Sequence, residues 1–232
     1  MLDFEMVEVM TFDCYGTLID WESGIASAMG EILRSHGVRL EKDDILELFA
    51  KLESRIEAGN FHNYKTVLAK VAEGFGEKLG FIPHRKEIES FSLSVKNWPP
   101  FHDSVEALHS LKKSYRLAVI SNVDDDLFAF SAKHLETDFD WVVTAEAVKC
   151  YKPSLNNFYH AIEKIGIPKE RILHVAQSLY HDIEPAEKVG LKTVWINRRH
   201  GKDGFGATPA AKATPDMELP DLLGLAARAR RF

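Results

Sequence analysis

Four short apolar runs constrain the fold most. VEVMTF (7–12), RLAVIS (116–121), ILHVA (172–176) and KTVWIN (192–197) are each about one strand long. Each is largely apolar on consecutive rather than alternate positions, which suits strands covered on both faces, as in a parallel sheet. WVVT (141–144) is a fifth, weaker run. Helical patterns lie between them. Val105, Leu108 and Leu111 make one stripe, and Phe158, Ala161, Ile162 and Ile165 make another. Alternating strands and helices predict an α/β chain with a doubly wound parallel sheet. In such a sheet the reactive groups collect beyond the carboxyl ends of the strands.

Residues 20–98 break this alternation and contain no convincing strand. Apolar positions recur at helical spacing at Ile25, Met29, Ile32 and Leu33, then at Ile45, Leu48, Phe49, Leu52 and Ile56, then at Val67, Leu68, Val71, Phe75 and Leu79. Gly37, Gly59 and Gly80 are plausible helix stops, and the two prolines of NWPPF (97–101) end the helical stretch. The expected organisation is a sheet domain from 1–19 and 99–232 with a helical insert over 20–98. Residues 200–220 are rich in Gly, Ala, Thr and Pro and read as a surface loop. GKDGFG (201–206) follows a strand but opens no helix, so it is discounted as a dinucleotide loop.

The chain of 232 residues is 45% hydrophobic and carries a net charge of −6. That balance argues against a broad nucleic-acid footprint. RARR (228–231) reads as a solvated helix end. No apolar run approaches the ~20 residues that span a bilayer, and MLDFEMVEVM lacks the basic start and apolar stretch of a signal peptide. The expected location is the cytosol, with Cys14 and Cys150 as free thiols.

Each strand is followed by chemically capable residues. Asp13 follows the first, and Ser121 and Asn122 follow the second. VKCYKPSLNNF follows the weak run and supplies Lys152, and QSLYHDIEPA follows ILHVA and supplies Asp182. A carboxylate, two hydrogen-bonding side chains, a cation and a second acid suffice for covalent catalysis by a carboxylate. Other groups have blander readings. Asp124, Asp125 and Asp126 suit a helix N-terminus. Cys14 should face away from Asp13 by alternation, and Trp21 and Trp98 read as packing at the two connections to the insert. His181 adjoins Asp182 without an assigned direction. The remaining histidines show no paired metal spacing.

In order and spacing, these segments resemble the haloacid dehalogenase superfamily over residues 1–20 and 99–200, with the insert where that superfamily carries a helical cap. DCYGTLID (13–20) resembles the Asp-x-Tyr-Gly-Thr motif of 2-haloacid dehalogenases. The resemblance implies Asp13 as nucleophile on carbon 2 of a small carboxylic acid and Thr17 as a brace for the loop. It implies that Ser121 and Asn122 bind the substrate carboxylate or orient Asp13, and that Tyr15 lines the pocket. Lys152 would neutralise the carboxylates, and Asp182 would pair with it and help activate water. In the phosphatases of the superfamily a second acid stands where Tyr15 is, and a metal-binding Asp stands where Gln177 is. A hydrolase with no metal and no cofactor is therefore expected. The dehalogenases place Ser and Asn where this chain has Gln177 and Leu179, and Arg55 lies out of register for their cap arginine.

FDCYGTLIDWESGI, YKPSLNNF, SLYHD and RRHGKDGFGAT also resemble a dehalogenase-related subgroup that includes L-azetidine-2-carboxylate hydrolase. Ring opening of such a substrate is the alternative activity, and phosphate-ester hydrolysis is a further one. The implied partner is a small carboxylic acid rather than a nucleic acid or a membrane, and a homodimer is a family-based expectation.

Overall fold

The computed structural model of the protein describes residues 2–201, 208 and 211–230. Six strands are β1 (Val9–Phe12), β2 (Arg116–Ser121), β3 (Trp141–Thr144), β4 (Ile172–Ala176), β5 (Lys192–Ile196) and β6 (Met217–Leu219). They form one parallel sheet in the order β3-β2-β1-β4-β5-β6. Both faces are covered. Val9, Ala118, Ile120 and Ile172 point toward α8 (Leu155–Ile165) and α9 (Glu184–Val189). Met10, Phe12, Leu117, Val119, Leu173 and Val175 point into the other core, with α5 (Ser104–Leu111) and α10 (Leu222–Arg228). Alternate side chains of each strand thus enter opposite apolar layers, which is why the runs are apolar throughout. On the β2 side, α6 (Asp125–His134) and the single-turn α7 (Ala145–Val148) complete the layers.

All of the segment between β1 and α5 that is regular is helical: α1 (Trp21–Ser35), α2 (Lys42–Glu57), α3 (Tyr64–Leu79) and α4 (Arg85–Leu93). Their apolar stripes pack on one another. Ile25, Met29 and Leu33 of α1, Ile45 and Phe49 of α2, and Val67, Val71 and Phe75 of α3 are buried. The chain leaves the sheet and returns to it side by side. The N–H of Asp20 donates to Pro99 O at 2.8 Å, and that of Phe101 to Leu18 O at 3.0 Å.

Asp124 provides a second link between the helical segment and the sheet. It precedes α6 but does not cap it. Its carboxylate instead accepts the backbone N–H groups of Tyr64 (2.6 Å) and Lys65 (3.0 Å) at the start of α3. An anion there meets otherwise unpaired N–H groups and the positive end of the helix dipole.

Two expectations need correction. Residues 200–220 are not loop throughout, because Met217–Leu219 is the sixth strand, parallel to β5. Three residues in a polar context carry no periodic signal. The stripe-based reading also omits α4, whose nine residues RKEIESFSL bury only Phe91 and Ser92. GKDGFG lies outside the described residues. Among those described, no helix is long and apolar enough to cross a membrane. Cys14 and Cys150 are free, and Cys14 is buried.

Gly24 of α1 lies against the indole of Trp98, and a Cβ there would overlap the ring. Gly24→Ala gains up to ~1 kcal/mol of helix propensity, but the ring is fully buried and unable to yield. A net loss of about 1–3 kcal/mol is expected from overpacking, read as a lower urea midpoint.

Candidate active site

The carboxyl ends of β1, β2 and β4 are neighbours in the sheet, and the residues just beyond them meet. Asp13 follows β1, Ser121 ends β2 with Asn122 after it, and Gln177 follows β4. A π-helical turn, Leu179–Ile183, then carries Asp182, and the loop after β3 and α7 brings in Lys152.

The Lys152 ammonium group is 2% exposed and donates three hydrogen bonds. These go to Asp13 Oδ1 at 2.8 Å, Asp182 Oδ1 at 2.6 Å and the carbonyl of Ile120 at 2.8 Å. Its three protons are all used. Burial disfavours the ammonium, but the two carboxylates outweigh it and raise the Lys152 pKa. Burial likewise opposes ionised Asp182, yet Lys152 and His174 together hold its carboxyl below the usual range. For Asp13 burial prevails, with Asp182 adding to it, and its pKa lies above the usual value despite Lys152. The second oxygen of Asp13 accepts the Thr17 hydroxyl at 2.7 Å, and Thr17 Oγ1 accepts the N–H of Gln177 at 2.9 Å.

A polar chain runs beneath this cluster. His174 Nε2 lies 3.2 Å from Asp182 Oδ1, and its Nδ1 lies 2.8 Å from Thr11 Oγ1. The network assigns the proton to Nε2, which donates to Asp182 while Nδ1 accepts the threonine hydroxyl. His174 is fully buried within a strand. Its sequence context, ILHVA, signals only a core position.

The other residues singled out in the sequence fall into place as follows. Asn122 clasps the backbone of Lys152, its Oδ1 accepting the N–H (2.7 Å) and its Nδ2 donating to the carbonyl (3.1 Å). Ser121 is buried with its hydroxyl unpartnered. Tyr15 packs edge-on against Trp98 and shares a hydrogen bond with Ser131 at 2.9 Å. Burial pushes the Tyr15 phenol well up, so it is no counterpart of a carboxylic acid. Gly16 adopts φ +95°, and a Cβ there would stand 2.9 Å from Trp21 Nε1.

Asp13, Tyr15, Asn122, Lys152 and Asp182 line a cavity of about 30 Å³. Gln177, Ser178, His181 and Thr208 complete the sheet side. Burial draws the His181 imidazole down to about 4, so it is neutral at neutral pH. A groove of about 290 Å³ adjoins the cavity and shares Glu57, Lys152 and His181 with it.

From the helical segment come Trp21, Glu53, Glu57 and Tyr64. Neither glutamate was legible as a site residue, and Trp21 lines the cavity rather than serving only as packing. Arg55 is exposed, and the residues of α2 that reach the cavity are the two acids on either side of it. Tyr64 donates its hydroxyl to Glu53 Oε1 at 2.8 Å. Burial lifts Glu53 to about 7. Burial, reinforced by the Glu53 carboxylate, pushes Glu57 well up.

At two positions beside Asp13 the site carries no acid: Tyr15 in the first loop and Gln177 after β4. Hard Mg²⁺ favours carboxylate oxygens, whereas Tyr15 and Gln177 supply a phenol and an amide. Lys152 already occupies one oxygen each of Asp13 and Asp182. Among the described residues, the group of three or more His, Cys, Asp and Glu side chains close enough to share an ion is His36, His84 and Glu87, on the helical segment.

A family model for haloacid dehalogenase-like hydrolases matches residues 7–190. The chain belongs to that family. Among its relatives, (S)-2-haloacid dehalogenase 4A of Burkholderia cepacia is 27% identical over 88% of this hydrolase and 89% of the relative. N-acylneuraminate-9-phosphatase of Rattus norvegicus is also 27% identical, over 94% of each chain. The solved L-2-haloacid dehalogenase of Xanthobacter autotrophicus superposes with a TM-score of 0.79, at 18% identity, over 95% of this chain and 97% of its own. Overall identity thus leaves dehalogenase-like and phosphatase-like relatives level.

Glu53 makes stability depend on pH. Its folded-state pKa of about 7 lies above the reference 4.5. The folded protein therefore holds the extra proton between those values, and stability falls as pH rises through that window. The loss is at most about 3 kcal/mol. Glu53→Gln keeps an acceptor for Tyr64 and removes the titration. Thermal unfolding is expected to find the variant more stable than wild type near pH 8, with the advantage gone near pH 4.5.

Proposed function

We propose that this hydrolase cleaves a bond at carbon 2 of a small carboxylic acid through an ester on Asp13, in the manner of a 2-haloacid dehalogenase, with residues 20–98 as its cap. The observation that carries the reading is the setting of Asp13. It is a buried carboxylate at a strand end, with one oxygen on an ammonium group and the other on a hydroxyl. Desolvation raises the reactivity of such a group, and the fixed donors aim it. Similarity to the (S)-2-haloacid dehalogenases supports the same chemistry.

In the first step a carboxylate oxygen of Asp13 bonds to carbon 2, and the leaving group departs with the bonding electron pair. In the second, water attacks the carbonyl carbon of the ester. The hydroxy acid leaves, the Asp13 carboxylate is restored and one proton is released. A halide needs no proton on leaving, so Tyr15 in place of an acid costs nothing there, whereas an alkoxide from a phosphate ester needs one. Lys152 stays charged and stabilises Asp13 before and after. Asp182, on the cavity wall beside Asp13, is the acid that would accept the proton of the attacking water. Asp13, Lys152 and Asp182 are the catalytic group. Thr17 and Asn122 position it, and Tyr15 bounds the substrate space. The hydrolase works without a metal or cofactor as a soluble protein of the cytosol.

Single turnover of (S)-2-chloropropionate in ¹⁸O-water tests this. Halide is expected in solution, and the label in the Asp13 carboxylate, read by peptide mass spectrometry. Label found only in the product means direct attack by water and ends the ester mechanism. Asp13→Asn is expected to lower kcat by at least about 10³-fold. Chelator-sensitive hydrolysis of p-nitrophenyl phosphate would overturn the metal-free assignment.

A further inference from the structure

The cavity over Asp13 is unusually acidic for one that admits an anionic acid. Its lining includes four carboxyl groups, those of Asp13, Asp182, Glu53 and Glu57, and among the described lining residues Lys152 is the only lysine or arginine. Lys152 spends all three of its protons on Asp13, Asp182 and the Ile120 carbonyl. The other nitrogen base in the lining, His181, is held neutral. A simple haloacid would bring a carboxylate and release a halide with no free cation among these residues to receive either.

The two acids on α2 have no structural task that needs a charge. Glu53 and Glu57 stand one helical turn apart and both face the cavity. Among the described residues neither forms an ion pair. The partner of Glu53 is the Tyr64 hydroxyl, which the amide of a glutamine would satisfy equally. Acids held near one another away from water keep their protons unless a cation joins them, and here such a cation would arrive from outside. The groups facing the pair are Tyr64 on α3, Tyr151 and Lys152 on the loop after β3, Asp13 after β1, and His181 and Asp182 on the turn after β4. Glu57 also lines the adjoining groove, which places it where that groove meets the cavity.

We propose that Glu53 and Glu57 form an ammonium-binding subsite, so that this hydrolase selects small carboxylic acids bearing a protonated amine. The proposal rests on the Asp13 ester for the reaction itself. The pair fixes which substrates present a carbon to Asp13. Glu53 ionises near pH 7, so the subsite is weak in acid and gains strength as pH rises through neutrality, until the amine itself loses its proton.

Two chloroacids with the same reacting carbon and leaving group test the subsite. At pH 8, 3-amino-2-chloropropionate is expected to be turned over with at least a tenfold higher kcat/KM than 2-chloropropionate, and Glu53→Gln/Glu57→Gln is expected to abolish that preference. Equal or better use of 2-chloropropionate by the wild type, or a preference that survives in the double variant, overturns the proposal. Calorimetry with unreactive ligands separates the subsite from the chemistry. The wild type should bind β-alanine more tightly than propionate, and more tightly at pH 8 than at pH 5.5. This comparison needs no variant to fold. Tighter binding of β-alanine without label in Asp13 leaves the subsite standing and ends the ester mechanism. Label in Asp13 without preference for either amine ends the subsite alone.

Discussion

A single buried ammonium group organises this protein's chemistry. Lys152 reaches the carboxyl edge of the sheet and joins Asp13, Asp182 and the Ile120 carbonyl near the end of β2 through its three protons. The cost of burying two carboxylates and a lysine is offset only when every charge finds a partner, and here the geometry supplies one for each. The Lys152 backbone is in turn clasped by the Asn122 side chain. Three loops, those after β1, β2 and β4, are therefore held in register by the loop after β3. Removing the lysine would leave two acids facing each other in an apolar interior.

The sheet half of the cavity has the features expected of a haloacid dehalogenase-like hydrolase. The family match spans both halves. The face of α2 that the four-helix segment turns inward presents Glu53 and Glu57 to the cavity. The segment is attached through the paired connections at Asp20 and Phe101 and pinned by Asp124 at the start of α3.

Much of the fold was legible because buried parallel strands write themselves as apolar runs, and the weak run WVVT proved to be β3. The elements that were missed are those with little to bury. β6 has three residues and α4 hides two side chains. The acidic run 124–126 announced a helix start, but the carboxylate of Asp124 serves a different helix 60 residues away. Local rules place such a residue, and long-range packing chooses its partner.

The meeting of residues at the carboxyl edge of the sheet was legible for a related reason. Asp13, Ser121, Asn122, Lys152 and Asp182 each follow a strand or sit at its end, and a parallel sheet brings neighbouring strand ends together whatever the intervening residues are. Chain order was therefore enough to gather them. His174 was hidden because an imidazole within a strand looks like any core residue until Thr11 and Asp182 are seen beside it. Glu53 and Glu57 were hidden because a helix can dock by several faces, and charged residues in a helix usually face water. The sequence by itself determined a doubly wound sheet and a strand-end carboxylate gathered with a lysine, since both follow from residues near in chain or linked by a fixed topology. The tertiary structure decided which side of the helical segment closes over Asp13. That choice is made by the packing of four helices, and it turned two acids, rather than the arginine between them, toward the cavity.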